Sequence, residues 1–209
     1  MTGVTVELAR IESGPRDAPV LLLGSSLGTT HEMWQPQLAL LEQRFRVVRF
    51  DHRGHGESPA PPGPYTIGDL GRDVVALLDD LDVAQASYAG LSLGGMVGMW
   101  LAATVPDRVE RLALLCTSAN LAAATAWHDR AAGVRAGRMR ELAGPIVERW
   151  FTAAFAARRP DVVRRFSTML TSSEPDGYAS CCEAIAELDL SGALSRIIAP
   201  TLVVVAADD

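Results

Sequence analysis

Short runs of aliphatic and β-branched residues alternate along this chain with longer stretches whose apolar positions recur every three or four residues. That alternation predicts strands interleaved with helices, the pattern of a mostly parallel α/β sheet. Val4 to Arg10 reads as an N-terminal strand; its apolar-polar alternation places it near a sheet edge. Val20 to Leu23, Phe45 to Phe50, Ala86 to Ala89, Arg111 to Cys116 and Thr201 to Val205 complete the set. They alternate little, as expected of strands covered on both faces. Between them, Ile67, Leu70, Val74, Leu77, Leu78 and Leu81 form one helical stripe. Thr66, with Asp69 three residues on, predicts a capping box at its start. Gly94 to Val105, ended by Pro106, reads as a second helix, and Trp34 to Gln43 as a third.

From Asn120 to about Leu190 the strand-like runs stop. The segment is rich in Ala and Arg, with helical periods expected to break at Gly144-Pro145, Pro160 and Pro175. It reads as a helical insertion between two strands. The expected organisation is therefore a core over 1–119, the insertion over 120–190, and a resumed core over 191–209.

Composition narrows the function. Of the 209 residues, 48% are hydrophobic and 21% charged, an ordinary globular balance. The net charge of −6 disfavours nucleic acid or an anionic membrane as main partner. All 19 basic residues are arginine, so lysine Schiff-base chemistry and a P-loop are excluded. The three cysteines form no C-x-x-C pair, which speaks against a disulfide framework and zinc and for a reducing, cytoplasmic setting. Charges at Glu7, Arg10, Glu12, Arg16 and Asp17 exclude a signal-peptide core there. The nearly apolar stretch Ile197 to Ala207 is too short to span a bilayer.

The strongest chemical signal is Gly90-Leu91-Ser92-Leu93-Gly94-Gly95, directly after a strand and before a helix. A serine there sits on a turn that admits only small residues two positions either side. The turn lifts the hydroxyl above the sheet and aims the next amide, that of Leu93, at a developing oxyanion. Ser92 is thus the candidate nucleophile. Leu23-Gly24-Ser25-Ser26-Leu27-Gly28 follows another strand, and the Ser26 amide is the candidate second oxyanion donor. Asp51 to Ser58 contains His52 and His55, which read better as members of a structural turn than as bases. Asp208 and Asp209 follow the last strand; Asp209 is the better candidate for a carboxylate that orients a histidine, in the chain order Ser, Asp, His.

Together these segments resemble the α/β-hydrolase superfamily, and within it the 3-oxoadipate enol-lactonases. The likeness is carried by Ser25-Ser26-Leu27-Gly28-Thr29, Met33-Trp34, Pro36-Gln37-Leu38, Asp51 to Ser58, Pro61 to Thr66, and Gly90 to Gly98 with Trp100. In the insertion it is carried by Glu148 to Thr152 and by Gly177-Tyr178, Cys181-Cys182 and Ile185, which look like that family's cap. Ser25 stands where these lactonases often have asparagine. The resemblance implies an α/β-hydrolase fold with a helical cap, no cofactor and no metal. It also implies a small ester or lactone substrate bearing a carboxylate, hydrolysed through an acyl-enzyme on Ser92. The cap offers Arg130, Arg135, Arg138, Arg140 and Arg149 for that carboxylate, and Trp127 and Trp150 as pocket walls; Ser25, in the loop after the second strand, is a further candidate for contact with the substrate. A homo-oligomer is compatible with the sequence.

The family places its catalytic histidine after a further strand, beyond the acid. The four histidines here are His31, His52, His55 and His128, and none occupies that position. The expectation is therefore a truncated form or fragment, missing a C-terminal strand and helix, less stable and prone to association. Two alternatives stay open: a general carboxylesterase with the same elbow, and a non-catalytic binding module. A dehydrogenase is disfavoured because Gly90 to Gly95 lacks the G-x-G-x-x-G spacing, and a dehalogenase because it needs a carboxylate at position 92.

Overall fold

A computed structural model describes residues 4–207. Six strands form one sheet in the order β1-β3-β2-β4-β5-β6. They are β1 (Arg10–Ser13), β2 (Val20–Gly24), β3 (Arg46–Phe50), β4 (Ala86–Leu91), β5 (Val109–Leu115) and β6 (Thr201–Val204). Only β1 runs antiparallel, against β3; every other pairing is parallel. The helices are α1 (Leu38–Leu41), α2 (Ile67–Asp80), α3 (Leu93–Thr104), α4 (Ala124–Arg135), α5 (Met139–Glu148), α6 (Ala153–Arg158), α7 (Pro160–Thr171) and α8 (Pro175–Ala186). None of these helices is long and apolar enough to cross a membrane.

The apolar runs do form the sheet's centre. Leu22, Leu23, Val47, Val48, Phe50 and Tyr88 are almost wholly buried. The α2 stripe buries Ile67, Leu70, Val74, Leu77 and Leu78, and Thr66 with Asp69 forms the expected capping box. Helix α3 is apolar on nearly every side because it packs on β2, β4 and β5 and also on α2.

Four local expectations are corrected. The N-terminal strand begins at Arg10, not Val4. Before it, the Val6 amide donates to Asp73 and the Ala9 amide to the Ser58 hydroxyl, so side chains take the donors that a sheet ladder would use. The helix expected over Trp34–Gln43 is a 3-10 turn, His31–Gln37, followed by the short α1, with Pro36 inside the turn. Conversely, α5 runs through Gly144-Pro145. Burial of Met139, Ala143, Ile146 and Val147 on its inner face outweighs one lost hydrogen bond there. Finally, β6 is exposed along its whole length, with Leu202 at 60% and Val203 at 64%: among the described residues it pairs with β5, and its two faces are left uncovered.

Helices α4 to α8 occupy the connection between β5 and β6. Its two ends meet: Asn120 bridges Asp189, and the Leu190 amide donates to the Ala119 carbonyl. Helix α8 is the buried member, packing on α4 and α2 with Tyr178, Ala179, Cys181 and Cys182 fully covered.

Candidate active site

The sheet order fixes where a site can form. From β2 the chain goes to β3 on one side, then crosses back to β4 on the other. At such a switch point the loops leaving the strands' carboxyl ends diverge and open a crevice. Gly24 at the end of β2 pairs with Gly90 in β4, so the 25–29 loop and the Ser92 turn leave the sheet side by side.

Ser92 adopts φ 51° and ψ −111°, a positive φ rare for a residue with a side chain. The strain is held by surrounding bonds. Its amide donates to the Leu115 carbonyl (2.9 Å), and its carbonyl accepts from the Thr117 hydroxyl (2.7 Å) and the Met96 amide (3.0 Å). The turn closes because its glycines lie against backbone. A Cβ on Gly90 would lie 2.3 Å from the Gly94 carbonyl, and one on Gly94 2.2 Å from the Gly24 carbonyl oxygen. Ser92 itself is only half-buried, whereas the Leu93 side chain is sunk in the core. The Leu93 amide is at the first turn of α3, where helix N–H groups lack intrahelical acceptors.

The 25–29 loop is tied to this turn by the Gly94 amide, which donates to the Ser25 carbonyl (3.1 Å). The Ser26 amide donates to the Met33 Sδ (3.3 Å), and the Thr29 hydroxyl also reaches that sulfur (3.1 Å). A thioether is a weak acceptor, so the expected oxyanion donor is held by a partner that an oxyanion outcompetes. Ser25 is fully buried, and its hydroxyl has no hydrogen-bond partner among the described residues. Nothing local in the sequence marks Met33 or Thr117 for these roles: the sulfur meets Ser26 seven residues away, and the Thr117 hydroxyl meets Ser92 25 residues away.

Beneath the loops, the 51–58 turn is a buried polar knot. Burial alone raises the Asp51 pKa, but hydrogen bonds from the His31 ring (3.0 Å), the His31 amide (2.6 Å) and the Glu57 amide (3.2 Å) leave it lowered. Arg53 forms a bidentate pair with Asp73 (2.6 and 2.7 Å) and lies over the Tyr65 ring. Burial alone lowers the guanidinium's pKa, yet the Asp73 carboxylate outweighs this and leaves Arg53 firmly charged. Burial, with His55 nearby, pushes His52 down to about 3, and burial also lowers His55. His128 pairs with Glu187 at 3.1 Å. Among the described residues no histidine hydrogen-bonds Ser92. Asp208 and Asp209 lie outside the described residues.

The arginines of the helical segment separate into committed and uncommitted groups. Arg135 is bound to Glu183 and lies 3.4 Å from Asp176, on a cavity of about 780 Å³ between α4, α8 and Pro61 to Pro64. Arg149, Arg130 and Trp127 line a second cavity of about 380 Å³ with Leu121 to Ala123 and Ala126, and the Arg130 guanidinium stacks 4.3 Å over Trp127. Arg138 and Arg140 are exposed. Trp150 is half-buried edge-on to Phe166 at 6.1 Å and lines neither cavity. Neither cavity is lined by Ser92.

A half-buried serine on a strained strand-to-helix turn, at the switch point of a parallel sheet, defines an α/β hydrolase. Residues 19–209 match the alpha/beta hydrolase fold family, and the chain belongs to it. It is 42% identical, over all 209 residues and 78% of the relative, to 3-oxoadipate enol-lactonase 2 of Acinetobacter baylyi. Among solved structures, the enol-lactonase from Burkholderia xenovorans LB400 superposes with a TM-score of 0.93 at 44% identity, over 95% of this chain and 77% of that one. A hydrolase from Pseudomonas aeruginosa PA01 superposes with a TM-score of 0.93 at 46% identity, over 97% and 77%.

Proposed function

We propose that this hydrolase cleaves a carboxylate-bearing lactone of the 3-oxoadipate enol-lactone type through a Ser92 acyl-enzyme. The observation that carries the reading is the Ser92 backbone at φ 51° between β4 and α3. The identity to enol-lactonases supports the substrate class. Ser92 Oγ attacks the lactone carbonyl, and the Leu93 and Ser26 amides receive the oxyanion, Ser26 exchanging its Met33 sulfur for it. Ring opening breaks the bond from the carbonyl carbon to the ring oxygen and leaves an enolate tethered in the acyl-enzyme; it takes up a proton and tautomerises to the 3-oxo form, and water then cleaves the Ser92 ester to release the 3-oxo acid. Resemblance to the family supports, as the proton acceptor, a histidine that follows the acid Asp209 in chain order and is oriented by it. Helices α4 to α8 act as the cap. Arg149 and Arg130, free of acidic partners in their cavity, are the anchors for the substrate carboxylate, whereas Arg135 is spent on Glu183.

The test compares the natural protein with Ser92→Ala and Arg149→Ala on the enol-lactone and on a neutral short ester. Ser92→Ala abolishes both activities. Arg149→Ala raises KM for the enol-lactone about tenfold or more and leaves the neutral ester unchanged, the loss of one charge-assisted hydrogen bond. A second reading, a general carboxylesterase, is favoured by the absence of Ser92 from the lining of the arginine cavity. It predicts equal effects of Arg149→Ala on the two substrates.

A further inference from the structure

We infer that His55 is a positioning residue for the oxyanion loop; the inference rests on the reading of Ser92 as nucleophile. The Gly28 amide donates to His55 Nε2 at 2.9 Å, and His55 Nδ1 lies 3.2 Å from the Arg53 carbonyl oxygen. An amide N–H can only donate, so Nε2 must carry the lone pair. The neutral ring therefore bears its proton on Nδ1 and donates it to Arg53. Both nitrogens are thus committed, and at 1% exposure the ring is no proton shuttle.

What it holds is the loop opposite the nucleophile. Gly28 has φ +75°, and a Cβ there would lie 2.5 Å from Leu170 Cδ1 and 3.0 Å from Tyr178 Cε2. The peptide is therefore seated between α7 and α8 on one side and His55 on the other. Tyr178 also faces the His55 ring, centroids 6.3 Å apart. The loop between Ser25 and Gly28 is pinned at its start by Gly94 and at its end by His55, with Ser26 between them. The second pin is itself anchored, because Arg53 is clamped to Asp73 on α2. In this way α2 reaches the oxyanion loop through one imidazole, buried where water cannot replace it. Losing that bond frees the Gly28 peptide to turn and displaces the donor amide, which costs rate and leaves ground-state binding alone.

The experiment uses the natural protein with His55→Phe, His55→Gln and Ser92→Ala, assayed on p-nitrophenyl acetate and titrated with phenylboronic acid as an oxyanion mimic. His55→Phe keeps a ring but removes the acceptor; kcat falls about 10- to 100-fold with KM within about twofold, and boronate affinity falls by a similar factor. His55→Gln restores an acceptor oxygen and recovers most of both. Wild-type kcat in a folded His55→Phe protein overturns the inference while leaving the Ser92 reading intact. So does a fall in kcat with boronate affinity unchanged. Full activity in Ser92→Ala overturns both. Independently of any variant, ¹⁵N NMR of the wild-type protein shows His55 protonated at Nδ1 alone; a proton on Nε2 overturns the assignment.

Discussion

Gly94 shows how little freedom the nucleophile's surroundings leave. It touches Gly24 of β2 and Gly90 of β4, and a methyl group there would meet backbone atoms only, at 2.2 Å and 2.4 Å from the Gly24 carbonyl. Backbone cannot rotate away as a flexible side chain can. Gly94→Ala is therefore expected to destabilise the fold by about 3 kcal/mol and to cut Ser92 labelling by a fluorophosphonate in the molecules that remain folded. Urea denaturation with parallel labelling of the natural protein checks this. Wild-type stability in the variant contradicts the close approach of α3 to β2. The same residue-scale view separates the arginines. No spacing rule distinguishes Arg135 from Arg149, because the partner that neutralises Arg135 lies 48 residues away at Glu183. Their difference is a tertiary fact.

At the scale of elements, the capping box offers a clean local test. The Thr66 hydroxyl accepts from the Asp69 amide (3.1 Å), and the Asp69 carboxylate accepts from the Thr66 amide (2.8 Å). Thr66→Ala removes one half of this exchange and is expected to cost about 1 kcal/mol. Its kcat and KM should match wild type, since the box lies at the start of α2, away from the Ser92 turn. A urea midpoint unchanged by the substitution argues that other contacts fix the start of the helix. This element was legible because a cap is written in four consecutive residues. The strands β2 to β5 were legible for a related reason: a buried strand needs a short aliphatic or aromatic run, and each carries one, unbroken in β2 and flanked or interrupted by polar residues in the other three. The Ser92 turn was legible because the small residues that answer its steric demand fall within five positions, Gly90 to Gly94. Elements decided by distant partners were not. Val4 to Ala9 alternates like a strand, but Asp73 and Ser58 claim its amides. Pro145 signals a break that the buried face of α5 overrides. The commitment of His55 to Gly28, 27 residues away, has no local signature.

For the molecule as a whole, the buried histidines make acid the weak direction. His52 has an ordinary unfolded pKa of about 6.5 and a folded pKa pushed to about 3 by burial and by its neighbour His55. A base whose folded pKa is depressed binds its proton preferentially in the unfolded chain. Its contribution to stability is therefore complete above pH 6.5 and is lost as the pH falls from there toward 3. Near pH 5 the loss from His52 alone is about 2 kcal/mol. His55 shifts in the same direction, also by burial, and adds to it. Asp51 acts lower down: its depressed pKa contributes stability above about pH 4, which disappears as the carboxylate protonates. Asp73 runs the other way, because burial raises its pKa despite the bonds from Arg53. It acts against the acid loss from the histidines. Urea denaturation at pH 7.5, 6 and 5 should show stability falling progressively, and His52→Phe, with its ring packed edge-on to Phe50 as His52 is, should flatten that slope. Parallel curves for the two proteins over this range would mean that His52 is equally protonated in the folded and unfolded chain, and that the polar turn beneath the nucleophile is wetter than its packing indicates.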